Sequence, residues 1–114
     1  MLTILLFILQ SVYAENPYLY HDNKSAPIID YDELDNINPH FLKSNSLESR
    51  VVEFYAPWCG GCINYKPHYI DLALNVQAKE PTIKFYAVSC QAHKTICREQ
   101  HITSYPCTKT SIYF

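Results

Sequence analysis

The chain has 114 residues, 48% of them apolar and 18% charged, which is enough for one domain with a modest core and too few for two. A formal net charge of −2, with five histidines counted as neutral, supplies no basic field, so nucleic acid is not expected as a partner. Seven prolines against two glycines argue against a flexible or low-complexity chain.

In chain order, the first element is the apolar run LTILLFIL at residues 2–9, too short to span a bilayer. Compact residues follow at Val12 and Ala14. Residues 1–14 therefore read as a secretory signal peptide cleaved after Ala14, although no Lys or Arg precedes the run; an anchored or buried amino-terminal segment is the alternative. Residues 15–27 are polar, with prolines at Pro17 and Pro27, and read as a linker or loose arm. They contain Asn23-Lys24-Ser25, an acceptor triplet for N-glycosylation at Asn23. Residues 27–31 start a strand, and Asp32 caps a short helix carrying Leu34, Ile37, Phe41 and Leu42.

Residues 50–56, RVVEFYA, form an almost continuous apolar run ended by Pro57, the pattern of a strand covered on both faces in a parallel sheet. Residues 60–79 read as a helix with Ile63, Pro67, Ile70, Leu72, Ala73 and Val76 at its inner positions and a kink at Pro67. A second buried strand is expected over 82–88, a short helix over 92–100 and a last strand over 108–114. The alternation of strands and helices is an α/β plan.

Trp58-Cys59-Gly60-Gly61-Cys62 falls where the buried strand hands over to the long helix. A thiolate, not a thiol, attacks a disulfide, and the unpaired N–H groups at a helix amino terminus favour an anion there. Two intervening residues put Cys62 one turn on, within reach of a mixed disulfide at Cys59. The roles that follow are Cys59 as nucleophile and Cys62 as resolving thiol. A purely structural disulfide and half a zinc site are the competing readings. Zinc takes four ligands, usually in paired sets; Cys90 and Cys97 are seven apart with no His pair nearby, so no metal is expected. Five cysteines behind a signal peptide suit an oxidising compartment.

The segment Val52-Glu53-Phe54-Tyr55-Ala56-Pro57-Trp58-Cys59-Gly60-Gly61-Cys62 resembles the active-site segment of the protein disulfide isomerase family. Pro67, the pair Cys90 and Cys97, and the loop ending at Tyr105-Pro106 resemble further features of that family's thioredoxin domains, and the match covers residues 28–114. Asn64-Tyr65-Lys66-Pro67-His68-Tyr69, and the long stretch from Cys62 to Cys90, are similar to the amino-terminal thioredoxin domain of quiescin sulfhydryl oxidases. The spacing of Cys90 from Cys97 is closer to the isomerases.

The resemblance implies a thioredoxin fold, incomplete at the C-terminus because the last strand and helix are missing after Phe114. It implies a thiol–disulfide oxidoreductase acting on unfolded or disulfide-containing secretory proteins, in the endoplasmic reticulum lumen or outside the cell, with glutathione or an upstream oxidase as redox partner. No cofactor is expected in this chain; FAD would enter only with the flavin domain of a longer sulfhydryl oxidase. Glu53, a charge inside an apolar strand, needs a proton or a partner if buried. By resemblance it is the acid that takes the proton of the resolving cysteine through water; a glutamate reaching solvent at a strand edge is the alternative. Ala87 stands where the family has a lysine.

Trp58, Gly60, Gly61, Tyr105 and Pro106 are expected, by the same resemblance, to line the groove for an extended substrate, with Pro106 in the cis form. Cys90 and Cys97 are implied to form a structural disulfide, a second redox pair being the alternative. Cys107, expected near the active-site pair, stays open between a buried bystander, a third reactive thiol and an intermolecular linker. Gly61 replaces the family's usual histidine, which should make the pair less oxidising. The reading from a different class is a redox-inactive, chaperone-like module that holds unfolded chains in the groove around Tyr105 and Pro106.

Overall fold

The computed structural model describes residues 16–32 and 48–111. The signal-peptide segment, the short helix expected after Asp32 and the last three residues lie outside the described residues.

Four strands and two helices are described: β1 (Ile28–Asp30), β2 (Arg50–Tyr55), α1 (Gly60–Lys79), β3 (Lys84–Ser89), α2 (Lys94–Glu99) and β4 (Cys107–Ser111). The sheet order is β1-β3-β2-β4. The first three strands run parallel, and β4 returns antiparallel to β2. All six residues of β2 are buried, as its apolar run requires when neighbours flank it on both edges and helices cover both faces.

Side chains alternate across a strand, and the alternation divides the core in two. On one face Val51 and Tyr55 of β2 meet Phe85 and Ala87 of β3, and Cys62, Tyr69 and Ala73 of α1. On the other face Val52 and Phe54 meet Tyr86 and Val88, with Cys90 and Cys97.

The inner face of α1 differs from the one the sequence suggests. Cys62, Tyr69 and Ala73 are buried, with Tyr65 and Val76 partly so, a spacing of three and four that forms one helical stripe. Ile63 and Leu72 are exposed instead, and Pro67 also faces outward. The reason is Tyr69, whose ring fills the interior while its hydroxyl donates to the Tyr86 carbonyl at 2.7 Å. A buried phenol so satisfied competes well with an aliphatic side chain.

Residues 16–27 are also corrected from a loose arm. Tyr20 and Ser25 are buried; the Leu19 amide donates to the Tyr55 hydroxyl at 3.0 Å and the Tyr20 amide to Asp30 Oδ2 at 3.0 Å. Outside, the Lys66 ammonium pairs with Asp22 at 2.6 Å. Asn23 is exposed in a short 3-10 turn (Asn23–Ser25).

Candidate active site

β2 delivers the site. Its last residue, Tyr55, is followed by a turn through Pro57 and Trp58, after which α1 begins at Gly60 with Cys59 in extended backbone as its amino-terminal cap. A cap residue normally offers an oxygen to the free amides of the first turn; here sulfur takes that place. Cys59 Sγ accepts from the Cys62 amide at 3.4 Å, and the Cys59 thiol lies 3.8 Å from the Tyr105 carbonyl, to which it donates.

The two thiols are electrostatically unequal. Hydrogen bonds from the Cys62 side chain, then from the Cys62 and Gly61 amides, hold the Cys59 thiol below its ordinary range. Burial pushes the Cys62 thiol up to about 12. Cys59 is partly open and Cys62 closed to solvent, so the exposed sulfur is the one poised as an anion and the enclosed sulfur is held as a neutral thiol.

The loop before β4 closes the other side. The Tyr105–Pro106 peptide is cis, and the Tyr105 ring stands edge-on to Trp58 with centroids 6.0 Å apart. Trp58 is 63% exposed. A methyl group placed on Gly61 would sit 3.7 Å from Pro106 Cδ and 3.8 Å from Cys59 Sγ, whereas one on Gly60 would meet nothing within 4 Å. The structure thus gathers Trp58, Gly60, Gly61, Tyr105 and Pro106 around Cys59.

Glu53 is fully buried in β2 beside Ala87 of β3 and Thr108 of β4, so the strand-edge alternative is excluded. Burial raises its carboxyl to about 7, with the Tyr20 hydrogen bond opposing and the charge of Asp30 adding to the rise. The Tyr20 hydroxyl donates to Glu53 Oε2 at 2.5 Å, while Oε1 has no hydrogen-bond partner among the described residues. The charge on Glu53 acts on both Cys59 and Cys62, raising each.

Two residues of this buried cluster escaped the sequence reading. Asp30, at the end of β1, is lifted by burial to about 6 and accepts from the Tyr55 hydroxyl at 2.6 Å. Tyr20 comes from the segment taken for a linker. The only signal for Asp30 was a charge at the close of a short apolar run, the same kind of signal that marked Glu53; Tyr20 had none.

Cys90 and Cys97 form a disulfide with Cα atoms 5.6 Å apart, joining the end of β3 to α2. Cys107 pairs with Phe54 across the sheet and packs against the cluster that holds this disulfide. Its side chain therefore lies on the face away from Cys62, a correction to its expected place beside the CxxC pair, because one step along β4 reverses the direction of a side chain. Among the described residues no group of three or more His, Cys, Asp or Glu side chains is arranged to hold a metal ion, and no helix is long and apolar enough to cross a membrane.

The family model for thioredoxin matches residues 35–111. A putative protein disulfide-isomerase of Dictyostelium discoideum is 29% identical over 109 residues, covering 96% of this chain and 25% of that protein. Sulfhydryl oxidase 1 of Mus musculus is 30% identical over 112 residues, covering 92% of this chain and 15% of that one. The crystal structure of the Trx4 domain of ERdj5 superposes with a TM-score of 0.61 at 31% identity, covering 77% of this chain and 72% of that domain. The chain spans 8% to 25% of the lengths of the curated relatives it matches.

Proposed function

The chain belongs to the thioredoxin family, has its fold and is related to protein disulfide-isomerase-like oxidoreductases, and on that footing we propose that it performs thiol–disulfide exchange on protein disulfides through Cys59 and Cys62. The observation that carries this reading is the inequality of the two sulfurs. Cys59 caps α1, partly exposed and held below its usual pKa, while Cys62 lies one turn inward as a buried thiol.

In the reducing direction the Cys59 thiolate attacks a substrate disulfide; a Cys59–substrate bond forms and one substrate sulfur leaves as a thiolate. Cys62 then gives up its proton and attacks Cys59 Sγ. The Cys59–Cys62 bond forms, the mixed disulfide breaks, and the second substrate sulfur departs. Two electrons have passed from the protein to the substrate, and the reverse sequence oxidises a dithiol. Glu53, buried on the same face of the sheet as Cys62 and with one oxygen that no described residue hydrogen-bonds, is suited to accept the Cys62 proton. Trp58 and Tyr105 supply aromatic surface beside the reacting sulfur.

A secretory compartment is part of the proposal. It is supported by the Cys90–Cys97 disulfide, which would not persist in a reducing cytosol. The substrates proposed are unfolded or disulfide-containing proteins of that compartment.

Reduction of insulin by the wild-type chain and by Cys59→Ser tests the reading. Activity should fall to background in Cys59→Ser, and Cys62→Ser should accumulate a mixed disulfide at Cys59 visible by mass spectrometry. Equal activity in the wild type and Cys59→Ser would refute it, and binding of unfolded insulin without exchange would favour a holding module.

A further inference from the structure

The buried carboxyl beside the reactive pair is held by a residue from outside the sheet. Tyr20 lies ten residues before β1's terminal Asp30 and 33 residues before Glu53, yet it touches both acids. Its amide donates to Asp30 Oδ2 at 3.0 Å and its hydroxyl to Glu53 Oε2 at 2.5 Å. Its ring stands edge-on to Tyr55 and to Tyr69, with centroids 5.6 and 5.9 Å away. Lys66 of α1 sits 5.9 Å from the ring centroid while pairing with Asp22, two residues further along the same segment.

Titratable groups surround Glu53 from four segments, and of these Tyr20 and Asp30 act on its carboxyl. The segment before β1 brings Tyr20, β1 brings Asp30, β2 brings Tyr55, and α1 brings Cys62, Tyr65 and Tyr69. Neither β3 nor β4 offers a charge at the paired positions, which are Ala87 and Thr108. No ammonium or guanidinium hydrogen-bonds to Glu53 among the described residues; the group that does is a phenol. Burial and Glu53 itself keep that phenol protonated, so it is a donor throughout the physiological range.

We propose that Tyr20 is a positioning residue for the exchange reaction: by holding Glu53 at Oε2 it leaves Oε1 to take the Cys62 proton and sets the pH at which the resolving step turns on. This rests on the exchange reading above. In the step concerned, the proton of Cys62 passes to the Glu53 carboxylate; the Cys62 sulfur bonds to Cys59; and the bond from Cys59 to the substrate sulfur breaks, releasing that sulfur as a thiolate. Only ionised Glu53 can accept the proton, so the rate should climb as pH rises through the pKa of Glu53. The Tyr20 hydrogen bond favours the ionised form, so its loss should move the climb to higher pH.

The test uses the full chain, with two readouts. Carboxyl carbon NMR follows the ionisation of Glu53, and stopped-flow mixing of the reduced protein with oxidised glutathione follows release of glutathione from Cys59. In Tyr20→Phe, which keeps the ring, both midpoints should rise by about one pH unit. Tyr55→Phe serves as the contrast. It removes the donor to Asp30, keeps Asp30 neutral to higher pH, and should leave the Glu53 midpoint unchanged or lower it. Adding Tyr20→Phe to Glu53→Gln should not move the release profile further. In the unmutated protein the Tyr20 Cζ resonance should titrate with the same midpoint as Glu53, a readout that does not depend on any variant folding.

An unchanged Glu53 midpoint in Tyr20→Phe overturns the proposal, as does an equal upward shift in Tyr55→Phe, which would signal general loosening. A Glu53 shift without a matching shift in glutathione release overturns the role in exchange. No glutathione release from the wild type at any pH sinks the exchange reading, and the Tyr20 role with it, while the NMR arm still reports separately whether Tyr20 governs Glu53.

Discussion

Position 61 bears on the potential of the pair. A side chain there starts in ordinary contact with Pro106 and Cys59 Sγ, so Gly61→His is accommodated, and an imidazolium would stabilise the Cys59 thiolate. The reduced form then gains relative to the disulfide, and the reduction potential should rise by roughly 20–40 mV, or about 1–2 kcal/mol. Glutathione redox titration of both proteins checks this; an equal or lower potential in the variant would contradict it.

Glu53 makes a second expectation at the same scale. Its folded carboxyl is raised to about 7 and that of Asp30 to about 6. Between pH 4 and 7 the folded chain therefore keeps protons that the unfolded chain releases. Stability should fall with rising pH across that window and stay lower above it. Glu53→Gln should be more stable than wild type at pH 8, by about 3 kcal/mol, and show only the smaller decline that belongs to Asp30; urea denaturation at pH 4, 6 and 8 measures it. Cys59, Cys62 and Glu53 were legible in the sequence because each breaks a local pattern: a CxxC at a strand-to-helix junction, a charge in an apolar run. Tyr20 breaks none, since a tyrosine in a polar segment is unremarkable until the fold brings it to Glu53.

Among the elements, β2 and α1 were read almost to their ends, because a strand covered on both faces and a helix of twenty residues carry long, consistent patterns. The inner face of α1 was not, since aliphatic content alone favoured Ile63 and Leu72 over Tyr65 and Tyr69. A tyrosine is amphipathic, and whether it turns inward depends on a carbonyl waiting in the neighbouring strand, which periodicity does not reveal. Tyr69→Phe, which keeps the ring and removes the hydroxyl that donates to the Tyr86 carbonyl, should cost about 1 kcal/mol. The link between β3 and α2 is a second case. The Cys90–Cys97 bridge closes a short loop, and replacing both cysteines by alanine should lower stability by about 2–3 kcal/mol while leaving exchange at Cys59 intact. Loss of insulin reduction in that variant at a temperature where it stays folded would give this pair more than a structural part.

Across the whole molecule, the α/β plan and the order of elements were evident from alternating patterns, whereas the sheet order β1-β3-β2-β4 and the antiparallel return of β4 depend on pairings between distant segments that a single chain does not spell out. That pairing also decides the place of Cys107. Alkylation at neutral pH should label Cys59 first, with Cys107 and the buried Cys62 lagging; mass mapping of the labelled peptides against time records the order. The sheet is thus a partition between sulfurs, with Cys59 and Cys62 on one side and the Cys90–Cys97 bridge and Cys107 on the other. In the exchange proposed above, the sheet would stand between the reacting sulfurs of Cys59 and Cys62 and the protein's own bridge.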